Sequence, residues 1–136
     1  MSKPVLSTIL AVAALAALPG CRSTMFGDEA SVASATSGPF AGVKADRGHV
    51  VHRKRGTRNV LALSDDFVVP DTPDPHWQVV DSAGNRFLLQ RLPVKDQRVN
   101  REIILPGHVR DVKSVQIWCA FAEVLLGEAV FDHAVQ

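Results

Sequence analysis

Residues 76–92 read His76-Trp77-Gln78-Val79-Val80-Asp81, then Ser82-Ala83-Gly84-Asn85, then Arg86-Phe87-Leu88-Leu89-Gln90-Arg91-Leu92. The two flanking runs are rich in β-branched, aromatic and other apolar residues, which fit a pleated surface buried on one side. The intervening Ser, Gly and Asn favour a tight change of direction. The stretch predicts a β-hairpin.

The same alternation of short runs and turn residues extends both ways. Upstream, Pro70-Asp71-Thr72-Pro73-Asp74-Pro75 carries three prolines, which exclude regular helix and mid-sheet strand. Before it lie Phe67-Val68-Val69 and a second hairpin. In that hairpin His49-Val50-Val51-His52-Arg53 and Asn59-Val60-Leu61-Ala62-Leu63 flank Lys54-Arg55-Gly56-Thr57. Downstream, Arg101-Glu102-Ile103-Ile104-Leu105 closes at Pro106-Gly107, followed by runs at 114–121 and 124–131. Residues 118–126 contain good helix formers, but Val115, Ile117 and Gly127 favour strand. Seven to eight short strands at regular spacing predict an all-β antiparallel sandwich. It is expected to span residues 39–136 as one domain.

The 136 residues are 46% hydrophobic and 21% charged, a globular balance and the length of one domain. With 15 Lys+Arg against 14 Asp+Glu, the formal net charge is +1. Such balance gives no general attraction to nucleic acid. Arg53-Lys54-Arg55 with Arg58 forms a local basic cluster at a hairpin tip. It reads as a solvated tip or as a contact for phosphate or an acidic partner.

The first residues have a different character. Lys3 precedes an apolar stretch, 5–18, that matches a secretory signal and is short for a membrane span. It ends in Leu18-Pro19-Gly20-Cys21. This resembles the lipobox of bacterial lipoproteins, which implies a signal peptide over 1–20 and acylation of Cys21. Several acyl chains give stable membrane anchoring. Residues 21–38 are small and polar and read as a tether. Ser23 in the second place after Cys21 resembles lipoproteins sent to the outer membrane of a two-membrane host. The expected location is the cell envelope.

Three islands and a closing run are similar to the DM-thirteen domain family. They are Leu63-Ser64-Asp65-Asp66-Phe67, then Thr72-Pro73-Asp74-Pro75-His76-Trp77-Gln78-Val79, then Leu105-Pro106 leading to Lys113-Ser114-Val115-Gln116-Ile117-Trp118-Cys119. The closing run is Val124-Leu125-Leu126-Gly127-Glu128-Ala129-Val130-Phe131. The resemblance covers about 38–131. It implies a small extracellular β-sandwich that occurs alone in bacterial exported proteins and beside cytochrome domains in animals. The family's proposed role is redox chemistry or electron transfer, with a cysteine as the redox group; Cys119 occupies that place. Asp66, Phe67, Pro73, Asp74, Trp118 and Gly127 are the other motif residues. This chain departs from the family pattern at Ala122, where the family has an aromatic, and at Arg101-Glu102-Ile103, where it has Gln-x-Tyr.

The residues themselves leave Cys119 with two readings. Strand alternation puts Val115, Ile117, Cys119 and Phe121 on one face and Gln116, Trp118 and Ala120 on the other. On a core face a cysteine is an inert small hydrophobe. Yet the chain has 2 cysteines, and lipidation of Cys21 would leave Cys119 a lone thiol in an oxidising compartment. A redox thiol needs access and a partner to hold it as thiolate, for which His76, His108, His133 and the basic cluster are candidates. No zinc, calcium, nucleotide or Ser/His/Asp pattern is present. His49 and His52, three apart, would face opposite sides of a strand. Asp65, Asp66, Asp71 and Asp74 read first as turn formers, whose carboxylates bond nearby amides. No cofactor or metal is expected on this chain; any redox cofactor would belong to a partner protein of the envelope.

Overall fold

A computed structural model of the chain describes residues 32–93 and 98–136. Cys21 and the signal segment lie outside the described residues. Among the described residues there is no helix, so residues 118–126 follow their β-branched and glycine content rather than their helix formers. Eight strands are present: β1 (Val32–Thr36), β2 (Val50–Arg55), β3 (Arg58–Leu63), β4 (Pro75–Val80), β5 (Arg86–Arg91), β6 (Glu102–Ile104), β7 (Val112–Cys119) and β8 (Val124–Val135). They form two antiparallel four-stranded sheets, β1-β2-β3-β6 and β5-β4-β7-β8. The expected all-β sandwich is what the chain adopts.

Both hairpins stand where the sequence places them; the β2–β3 turn is tighter than expected, and the β4–β5 turn is one residue longer, Asp81 to Asn85. The β2–β3 strands run on to Arg55↔Arg58, which leaves a two-residue turn, Gly56-Thr57. Gly56 sits at φ 59, the left-handed conformation that the first centre of a type II′ turn needs. In the β4–β5 turn the Asp81 carboxylate accepts from the amides of Ala83 (3.0 Å) and Asn85 (2.7 Å) and from Asn85 Nδ2 (2.8 Å). The Asn85 side chain above all, with these amides, holds Asp81 below the usual carboxylate range against some desolvation.

Two expectations are corrected. Residues 32–38 are not tether. Val32–Thr36 is an edge strand on β2, and Ser37 and Gly38 donate to Val50 O (2.9 Å) and Val130 O (2.8 Å). The polar, small-residue composition hid this, because an edge strand buries little and needs no apolar alternation. Phe67-Val68-Val69 is not a strand; only Phe67 is buried, at 1% exposure, while Val68 stands in solvent.

The core lies between the sheets. Trp77, Val79, Val115, Ile117 and Leu92 are wholly buried there. The Trp77 indole N–H donates to Asn100 O at 2.8 Å, so the largest core side chain leaves no polar atom unmet. After β1 the chain crosses to the other sheet. Ala41 exchanges two hydrogen bonds with Glu128, and the amides of Lys44 and Ala45 donate to Leu126 O. Segment 38–45 therefore lines the outer edge of β8.

Candidate functional site at Cys119

Cys119 ends β7, and the alternation expected for the strand holds up to it. Val115, Ile117 and Cys119 are buried on the core face. Trp118 lies on the other face, opposite His76. Phe121 does not continue the pattern: it is 77% exposed, because β7 stops at Cys119 and residues 120–123 turn into β8. Glu123 takes φ 53 in that turn, a left-handed conformation that costs a non-glycine residue about 1–2 kcal/mol.

A second segment closes over the sulfur. Pro75 pairs with Cys119 in the β4–β7 register, so the proline-rich loop leading into β4 runs beside the turn. Ala120 donates its amide to Asp74 O at 3.0 Å and ties loop and turn together. The loop is pinned from outside. Asp74 Oδ1 pairs with Arg91 Nε at 2.8 Å and lies 3.6 Å from His76 Nδ1. Arg91 also donates to Pro73 O at 2.9 Å, and Lys44 Nζ reaches Asp71 O at 3.4 Å.

Cys119 is 1% exposed, yet its thiol is held below its ordinary range. The amide of Ala122 has the largest influence; desolvation opposes it; the amides of Asp74 and Phe121 and the hydroxyl of Thr72 add to it. Donors around a sulfur favour the anion, as they do around a carboxylate. Thr72 Oγ1 is itself buried and completes no hydrogen bond of normal geometry. It is a hydroxyl with unused donor capacity beside a sulfur. The arrangement can stabilise a thiolate. It offers no open path to one, because turn 120–123 and loop 70–74 cover it.

The remaining sequence-nominated residues divide by place. Pro73, Asp74 and Trp118 gather at the Cys119 end. Asp66 and Phe67 belong to a separate turn after β3. There Ser64 Oγ donates to Asp66 Oδ1 at 2.6 Å and accepts from His49 N at 2.8 Å. The Ser64 hydroxyl is the main reason that the Asp66 carboxyl lies below its usual range. Arg101 donates to Ser64 O (3.1 Å) and Phe67 O (3.0 Å), and the Phe67 ring packs on Phe40 at 5.1 Å. These contacts hold a turn. Gly127 pairs with Ile117, and a Cβ there would collide with the carbonyl oxygen of Ala45. The glycine lets segment 38–45 lie against β8.

Of the candidate partners for the sulfur, His76 alone shares its end, and it bonds the Asp74 carbonyl at 3.1 Å from the opposite sheet face. His108 packs on Phe87, 5.7 Å between ring centres. His133 and the basic cluster lie toward the far ends of β8 and β2. Among the described residues no three His, Cys, Asp or Glu side chains converge on a point that could hold a metal ion. Sequence reasoning missed Thr72, Arg91 and Arg101 as parts of these arrangements. Their positions follow from strand register and from loop paths, which no local pattern encodes.

Comparison of the chain with protein-family models, with curated proteins and with solved structures finds no match. The two antiparallel sheets define an all-β sandwich, and the function must be argued from the site.

Proposed function

We propose that this chain is an envelope lipoprotein, anchored to the membrane through acylated Cys21, whose DM-thirteen-like sandwich has a redox or electron-transfer role centred on Cys119. The observation that carries the reading is the enclosure of the sulfur by turn 120–123 and loop 70–74, tied together by Ala120 N and Asp74 O, with the buried Thr72 hydroxyl in that loop and the thiol held below its ordinary range. A thiol meant only for packing gains nothing from the amides of Ala122, Asp74 and Phe121 and from an otherwise unused Thr72 hydroxyl. A thiol that must act as an anion does.

In the simplest step the Cys119 thiolate attacks a disulfide on a partner protein. One S–S bond forms to Cys119, the partner's S–S bond breaks, and its second sulfur leaves as thiolate with the electron pair. Cys119 must first be uncovered, which requires turn 120–123 or loop 70–74 to open. Any redox cofactor belongs to the partner, and nucleic acid is not among the partners.

A second reading has its own observation. At 1% exposure, Cys119 also fits a packing residue of a non-enzymatic binding or structural module of the envelope. Alkylation of the folded and the denatured protein across pH, read by intact mass, separates the two. The redox reading expects native labelling with a midpoint below the free-thiol value of about 8.5. It also expects Thr72→Val to raise that midpoint and Thr72→Ser to keep it. Labelling only after denaturation would overturn it in favour of packing.

A further inference from the structure

The end of the sandwich opposite Cys119 carries the basic cluster, and the fold adds to it. Lys54 and Arg58 are exposed on the two sides of the Gly56-Thr57 turn. Arg110, far away in sequence, joins Arg58. Arg58 and Arg110 line one cleft of about 580 Å³ together with Thr57, Asn59, Pro106 and Gly107. Its lining includes Gln136 and no Asp or Glu side chain. Arg55 is engaged by Glu102 at 2.8 Å, but among the described residues Lys54, Arg58 and Arg110 have no carboxylate within ion-pair distance.

The chain enters the domain at this same end. Val32, the first residue of β1, pairs with Lys54. Ten residues separate Cys21 from Val32, and a chain of that length reaches at most about 40 Å. An acyl anchor at Cys21 would therefore hold the domain through its hairpin end, where the chain enters β1.

We propose that the Lys54–Arg58–Arg110 end of the sandwich is a docking surface for anionic phospholipid headgroups in the membrane that holds the anchor. The orientation rests on the lipoprotein reading; the surface rests on the unpaired basic side chains at this one end of the sandwich. Headgroup phosphates are acceptor groups that guanidinium forks match. An acyl anchor combined with a basic patch binds more firmly than either alone. Of the acids at this end, Glu102 on β6 is taken up by Arg55, and Asp81, Asp111 and Asp132 lie on the side of β4, β7 and β8. Asp111 is taken up by Ser82 at 2.6 Å and 2.7 Å, and Asp81 by its own turn. In this orientation the tip of the β2–β3 hairpin faces the lipid, and Cys119, at the opposite end, points away from it.

Both sheets and their core are complete within residues 32–136, so a form beginning at Arg22 serves for the test. Its flotation is compared on vesicles of phosphatidylglycerol with phosphatidylcholine and on phosphatidylcholine alone. The expected result is binding to the anionic vesicles only, lost on raising salt, and weakened about fivefold by each of Lys54→Ala, Arg58→Ala and Arg110→Ala. Equal binding to both vesicles, or none to either, overturns the surface. So does competition by inorganic phosphate beyond that of chloride at the same ionic strength, which would mark a free-anion site. Intact mass of the membrane-extracted full chain reads Cys21 separately. Acylated Cys21 without vesicle binding overturns the surface and keeps the anchor. Vesicle binding with unmodified Cys21 keeps the surface and overturns the anchor.

Discussion

Each end of the sandwich buries one group that can change its protonation, and the two are treated in opposite ways. At the hairpin end His52 is 1% exposed and its ring meets Asn59 Oδ1 at 3.0 Å. Desolvation dominates and pushes its pKa below 6.5; the Asn59 bond opposes this, and the nearby Lys54 charge reinforces it. At the other end a cysteine under equal cover is drawn toward its anion. Burial alone favours the neutral form of either group. What reverses it for the sulfur is a turn and a loop that aim backbone amides inward. The comparison teaches that depth alone does not set the direction of the shift here; the orientation of the surrounding backbone does.

The largest effect comes from breaking the frame that keeps the two ends distinct. Trp77→Ala empties the middle of the core and should cost about 3–5 kcal/mol in denaturant unfolding. It should loosen both ends together, so that alkylation of Cys119 and exchange of core amides accelerate in parallel. Acceleration at one end alone would mean that the ends open independently.

Gly127→Ala should act on one end only. Its Cβ meets Ala45 backbone, an overpacking expected to cost about 1–3 kcal/mol. Amides 41–45 should exchange faster, whereas those of β2 and β3 should keep their protection relative to global unfolding. Hydrogen exchange measured residue by residue checks this.

The His52 end should be sensitive to acid. Because its pKa is lowered in the fold, the unfolded chain binds the proton more readily between the folded value and about 6.5. Stability is full above about pH 6.5, declines as the pH falls toward the folded value, and levels off below it. Thermal unfolding between about pH 8 and pH 5 should show that decline, and His52→Asn should flatten it. An unchanged profile in the variant would assign the acid sensitivity to other groups. The smallest effect is at Arg55. Its pair with Glu102 is exposed, and Arg55→Ala should change stability by no more than about 1 kcal/mol and less at high salt.

Much of the fold was legible in the sequence because its evidence is local. The β2–β3 and β4–β5 hairpins show themselves as apolar runs around Gly56 and Gly84, and the three prolines of 70–75 mark the crossing between sheets. Strand β1 was not legible, since an edge strand leaning on β2 needs no pattern of its own. Phe121 was misplaced because alternation says where a strand's faces are but not where the strand stops. The site was legible in part. Cys119 and Asp74 were nominated from the resemblance, and they meet through Ala120 and Pro75. Thr72 and Arg91 reach them through pairing across β4, β5 and β7, a tertiary fact with no signature in the chain around either residue.

The run of segment 38–45 along β8 also bears on how molecules of this protein behave toward one another. β8 is twelve residues long, and a bare margin of that length offers a row of unmet amides and carbonyls to any neighbouring copy. The chain's own residues 38, 41, 44 and 45 occupy that row. The opposite margin, β5, is short, and arginines at 86 and 91 bracket its apolar Phe87, Leu88 and Leu89, charges of the kind that keep strand edges from adding to each other. A single proteolytic cut between 38 and 45 would free the longest strand among the described residues to pair with another copy, so the integrity of that loop is what guards this margin.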